Sequence, residues 1–123
     1  MCPIKPLEID TKVEKGTTIV TLSGHIATPE SQVVSEAFDR LIADSISKIV
    51  VDMKGVEIIT SDGLGALIRA RKAVTEAGGQ LVLSGLEGNI RSVFKMTRLD
   101  KIFTLYDSVA QAVAALSSQM TSP

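Results

Sequence analysis

The sequence predicts one α/β domain built on a mostly parallel sheet, and three observations carry that reading. From Gly16 onward, apolar runs of strand length alternate with segments of helical periodicity, which implies right-handed crossovers between parallel strands. The run Lys48-Ile-Val-Val-Asp-Met53 is short, β-branched and continuous, the mark of a strand buried on both faces. No linker, internal repeat or low-complexity stretch divides the 123 residues, a length that suits a single domain with a real core.

The elements follow in order. Leu7, Ile9, Thr11 and Val13 alternate loosely, as an edge strand does, and Glu14-Lys15-Gly16 supplies a turn into a second strand over Thr17–Ser23. Gly24-His25-Ile26-Ala27 reads as a loop. Thr28-Pro29-Glu30 then starts a helix, with Thr28 as cap, Pro29 at the first helical position, and Val33, Val34, Ala37, Phe38, Leu41 and Ile42 inward. After the Lys48–Met53 strand, a helix from about Gly63 carries Leu64, Leu67, Ile68 and Val74 on its apolar stripe and ends at Gly78-Gly79. Gln80–Ser84 is a further strand, and Gly85–Met96 holds a short helix with Ile90, Val93 and Phe94 inward. Lys101–Leu105 is a last strand, and Asp107 caps a final helix striped by Val109, Ala112, Val113 and Leu116. The order is ββαβαβαβα over a core of about residues 7–116, with frayed termini, Ser117–Pro123 included.

Composition removes several functions. A net charge of -1 argues against a generally basic nucleic-acid binder, and 3% aromatic residues against a base-stacking platform. No apolar run approaches the roughly 20 residues of a membrane helix. The start of the chain, Met1-Cys2-Pro3-Ile4-Lys5, lacks the apolar core of a signal peptide, so a cytoplasmic protein is expected. Cys2, the single cysteine, cannot form an internal disulfide and reads as a terminal residue without a role.

The chain centres on Lys48–Ala70. Between the strand and helix of that stretch lies Thr60-Ser61-Asp62-Gly63-Leu64-Gly65. Ser61 or Thr60 can cap the helix through a side-chain oxygen, and Asp62 sits where the helix dipole favours negative charge. Gly63 and Gly65 remove side chains that would hold another group away. The expected result is a hydroxyl at a helix N-terminus at the end of a central strand, where open α/β sheets tend to receive ligands and partners.

Catalytic constellations are missing. Position 68 is Ile, so Gly63 and Gly65 do not continue to a dinucleotide fingerprint, and there is no phosphate-binding glycine loop ending in Lys-Ser or Lys-Thr. Ile59 stands at the first glycine position of a nucleophile elbow around Ser61. One histidine and one cysteine make no metal site. His25 acting on Ser61, or Glu57 paired with Asp62, would be the only catalytic options. The sequence therefore predicts a protein that is not an enzyme and needs no cofactor. The basic residues Arg69, Arg71 and Lys72 form either a solvated helix face or part of a partner surface, Arg71 laying its stem over apolar surface.

The run Val51-Asp-Met-Lys-Gly-Val-Glu-Ile-Ile-Thr-Ser-Asp-Gly-Leu-Gly65 resembles the signature of STAS domains, the family of bacterial anti-sigma-factor antagonists. The order of elements is similar to that fold from about Leu7 to Leu116, and Val93–Phe103 resembles the family's run before the last strand. The resemblance implies a STAS fold and a partner switch. The unmodified antagonist binds an anti-sigma factor that is also a serine kinase, and phosphorylation of the serine two residues before Gly-Leu-Gly, here Ser61, releases it. A phosphatase acting on Ser61 is a further implied partner. The implied contact surface takes in Gly24, His25, Ile26, Thr60, Ser61, Asp62, Gly63, Leu64, Gly65, Arg69 and Lys72. Two departures stand out: Thr60-Ser61-Asp62 replaces the family's Asp-Ser-Ser or Asp-Ser-Thr, and Gly24-His25-Ile26-Ala27 replaces Gly-Glu-Leu-Asp. The alternative is a non-phosphorylated STAS subunit touching an ATPase of a lipid-transport complex through Thr60 or Ser61. Nothing in the sequence demands more than a monomer.

Overall fold

The computed structural model describes residues 6–118, so Cys2 and the tail beyond Ser118 lie outside the described residues. Five strands, β1 (Glu8–Glu14), β2 (Thr17–Ile26), β3 (Lys48–Ile59), β4 (Gln80–Ser84) and β5 (Leu105–Tyr106), form one sheet in the spatial order β1-β2-β3-β4-β5. β1 and β2 are an antiparallel hairpin, and every later neighbour is parallel. The helices are α1 (Thr28–Ala43), α2 (Ser61–Glu76), α3 (Gly88–Met96) and α4 (Val109–Ser118). This is the mixed, mostly parallel α/β architecture that the alternation of elements predicts.

The strand period of two sorts the core into two layers. Val20, Leu22, Ile26, Ile49, Val51, Met53, Leu81 and Leu83 face α1, α2 and α3, meeting Val34, Phe38, Leu64, Leu67, Val74, Ile90 and Phe94. Ile19, Val50 and Val82 face the other way and are covered by Ala112, Val113 and Leu116 of α4. Each crossover helix lies on the larger face, and α4 returns across the smaller one.

Five elements differ from the sequence reading. β2 and β3 run on past Ser23 and Met53, because Gly24, His25 and Ile26 continue the parallel ladder against Val56, Ile58 and Ile59. The expected Gly24–Ala27 loop is therefore mostly strand. Irregular register at Thr21/Ser23 and Gly24/His25 accommodates the extension, and Gly24 takes φ +88, a conformation that suits glycine. Helix α1 begins at Thr28 itself, leaving Thr28 inside the first turn rather than capping it. Ala27 precedes the helix and its N–H donates to Glu30 Oε1 at 3.0 Å. Val33, expected inward, is 50% exposed.

The last strand shifts from Lys101–Leu105 to Leu105–Tyr106. Arg98 adopts φ +61, a 3-10 turn covers Leu99–Lys101, and the Ile102 and Phe103 N–H groups both donate to Leu99 O. Those donors are spent in turns, which bury Leu99 and Phe103 and set the Phe103 ring against that of Phe94, 5.9 Å between centroids and tilted by 59°. Finally, Ser108 caps α4 in place of Asp107. Its Oγ accepts from Gln111 N–H at 3.2 Å, while Gln111 Oε1 accepts the Asp107 N–H at 3.2 Å.

Candidate functional site

The extended pairing of β2 with β3 brings Ile26 opposite Ile59, so α1 and α2 start side by side at one end of the sheet. Thr60 joins them. Its N–H donates to Ile26 O at 3.0 Å, its hydroxyl lies 3.3 Å from the same oxygen, and its Oγ1 accepts the Gly63 N–H at 3.4 Å. Of the two candidate caps, Thr60 is the one that caps α2.

That assignment leaves Ser61 at the first helical position, exposed, with its hydroxyl not required by the helix. Asp62 follows in the same turn and is also exposed. Its carboxylate accepts a hydrogen bond from Thr28 Oγ1 at 2.6 Å, which ties the first turn of α2 to the first turn of α1. Thr28 is the site residue that sequence reasoning misassigned. It stands 34 residues from its partner, and no local signal announces the pairing.

The two glycines differ. A Cβ at Gly63 would lie 2.8 Å from Ile26 Cγ2, Ile26 O and Ile59 Cγ1, so this position presses the helix directly onto the strand ends. A Cβ at Gly65 would meet only the Arg69 guanidinium, at 3.3 Å. Gly63 is a packing requirement, whereas Gly65 keeps the helix face low beside the exposed Ser61 and lets Arg69 lie along it.

The expected contact residues divide accordingly. Thr60, Ser61, Asp62, Gly65, Arg69 and Lys72 reach the surface at least in part. Gly24, Ile26, Gly63 and Leu64 are buried, and Ile26 belongs to the core outright. They lie beneath the exposed residues of the loop and support them from below. His25 is half-buried on β2 opposite Ile58, and no hydrogen bond joins it to Ser61 among the described residues. Ile58 is 50% exposed beside the loop, an apolar contact that the sequence reading left out. Arg71 turns elsewhere, into a cavity of about 240 Å³ lined by Thr75, Gly79, Leu81, Val82 and Thr104.

Chemically, the end of the sheet offers a free hydroxyl within the positive end of a helix dipole, beside a carboxylate held by a threonine. It offers no base aligned on that hydroxyl. Among the described residues no group of three His, Cys, Asp or Glu side chains is placed to hold a metal, and no helix is long and apolar enough to cross a membrane.

Comparison with known proteins follows the same outline. An anti-sigma F factor antagonist of Paenibacillus polymyxa is 27% identical over 111 residues, covering 89% of this chain and 95% of its own. The crystal structure of an anti-sigma factor antagonist from Mycobacterium paratuberculosis superposes with a TM-score of 0.82 at 25% identity, covering 90% of this chain and 94% of that one. The Bacillus cell fate determinant SpoIIAA, solved in its phosphorylated form, superposes with a TM-score of 0.68 at 14% identity over 89% of this chain and 98% of its own, a likeness of fold alone. The STAS domain family itself matches residues 8–112, a span that runs from β1 into α4 and includes the paired helix starts, and the chain belongs to that family.

Proposed function

We propose that this protein is a cytoplasmic anti-sigma-factor antagonist, which binds an anti-sigma factor with serine-kinase activity and is released when Ser61 is phosphorylated. The observation that carries the reading is the division of labour at the start of α2. Thr60 caps the helix, so the neighbouring Ser61 hydroxyl is exposed and available to a kinase.

The physics of the site suits a switch. A phosphoserine carries about -1.5 to -2 charge at neutral pH. At the first position of a helix that charge is compatible with the fold, because the backbone N–H groups and the dipole favour an anion. Across an interface it opposes any carboxylate or apolar group seated against Ser61, and each 1.4 kcal/mol lost weakens binding about tenfold. Exposed Arg69 and Lys72 farther along α2, and exposed Ile58 near the end of β3, are basic and apolar contacts that such a partner could use. A phosphatase acting on Ser61 would restore the binding form. The relatives named as anti-sigma factor antagonists support the regulatory role, and the phosphorylated Bacillus protein shows that this fold accommodates the modification in a neighbour.

The test is intact and peptide mass on the protein recovered from its native cells, beside an S61A control. One phosphate on Ser61, absent from the control, is the expected result. Protein without phosphate under every growth condition would overturn the switch and leave a constitutive binding module.

A further inference from the structure

β1 is an edge strand whose outer side has no neighbour among the described residues. Its sequence, Glu-Ile-Asp-Thr-Lys-Val-Glu, splits into two faces. Glu8, Asp10, Lys12 and Glu14 lie on one face, with Lys12 and Glu14 paired at 3.7 Å. Ile9, Thr11 and Val13 lie on the face of α1. Val13 is 66% exposed on that face, where Ile9 and Thr11 help line a cavity of about 290 Å³ with Val20, Ala37, Phe38, Arg40 and Leu41.

Charges on an edge ordinarily deter pairing with another strand. A second copy of β1 can match them. When two copies of β1 pair antiparallel about a two-fold axis normal to the sheet, residues that meet must share a face, so the axis passes midway between one residue and its own copy and is named below by that residue. An axis at Val13 sets Lys12 opposite Glu14 but pairs only three residues of each strand, and one other register pairs the strand's full length. An axis at Asp10 sets that carboxylate against its own copy. An axis at Lys12 sets Lys12 against itself and Asp10 against Glu14. An axis at Thr11 sets Asp10 opposite Lys12 twice and Ile9 opposite Val13 twice. It leaves only Glu8 and Glu14 in like-charge contact at the ends, where Lys12 already pairs with Glu14.

We propose that the protein forms a symmetric homodimer through β1, in the register centred on Thr11, which makes one ten-stranded sheet. The partner's Val13 then covers Ile9 and the mouth of the cavity beside Phe38 and Leu41. The same axis reverses strand direction, so the two Ser61 loops sit at opposite ends of the joined sheet and both stay open.

Sedimentation equilibrium on the purified chain tests this, with K12E, the charge-exchanged D10K/K12D pair, and T11C made in a C2S background. The expected result is a reversible dimer that K12E weakens tenfold or more and that D10K/K12D restores to within a few-fold. T11C should give a covalent dimer on mild oxidation, because residues facing each other across antiparallel strands lie about 4.5–5.5 Å apart at Cα, within disulfide reach. A chain that stays monomeric up to 1 mM overturns the proposal. So does a dimer that K12E leaves unchanged, or one that T11C fails to link.

Discussion

Thr60 and Ser61 are adjacent hydroxyl residues with separate duties, and stability measurements can tell them apart. Loss of an N-cap hydroxyl costs about 0.5–2 kcal/mol, so T60A should lower stability by about 1 kcal/mol, whereas S61A should stay within about 0.5 kcal/mol of the parent. Denaturant midpoints for the two variants decide the matter, and equal losses would mean that both hydroxyls hold the helix. The glycines give a second contrast. G63A forces a methyl into atoms 2.8 Å away and should cost about 1–3 kcal/mol, while G65A adds the best helix former where only the movable end of Arg69 lies close, at 3.3 Å, and should be neutral or stabilising by up to about 1 kcal/mol. Thermal unfolding of the pair checks this, and a comparable loss in both would refute the packing role assigned to Gly63. The sequence alone marked every one of these residues, because helix-start chemistry is local. It left the choice between Thr60 and Ser61 open, since either hydroxyl could reach the same N–H. The Thr28–Asp62 bond was out of reach, being set by how two strand ends pair rather than by any neighbour in the chain.

At the scale of elements, what was legible was whatever has a period. The apolar stripes of α2 and α4 and the β-branched run of β3 each repeat often enough to declare their type. What was not legible were the places where tertiary pairing overrides local pattern. β2 extends through Gly24–Ile26 only because β3 supplies a ladder there, and Gly24 read locally is a turn residue. Lys101–Leu105 has strand-like composition, yet its Ile102 and Phe103 donors close turns around Leu99, and Phe103 is drawn onto Phe94. The turn is therefore a small cluster in its own right. F103A should cost about 3–5 kcal/mol, the range for emptying a buried aromatic site, whereas substituting the exposed Ile102 by Ala should cost far less. Near-equal losses in urea melts would restore the strand reading, in which both residues would contribute to sheet packing.

For the molecule as a whole, the question is whether a charge at Ser61 changes the fold or only its surface. Thr60 binds the end of β2, Gly63 sits against Ile26 and Ile59, and Leu64 is buried immediately beyond them. The loop is thus fixed from below by groups that do not involve the Ser61 hydroxyl. A carboxylate at the first helical position gains about 0.3–1 kcal/mol from the dipole, and the neighbouring Asp62 opposes part of that gain. S61D should therefore shift stability by less than about 1 kcal/mol. Its amide hydrogen exchange across β2, β3 and α2 should match the parent, whatever the substitution does to the proposed partner contact. A loss of several kcal/mol, or faster exchange spreading into β3, would mean instead that the charge acts by loosening the domain. The proposed switch would then be conformational. The loop's pinning points argue that a charge added at Ser61 alters the surface and leaves the fold beneath it in place.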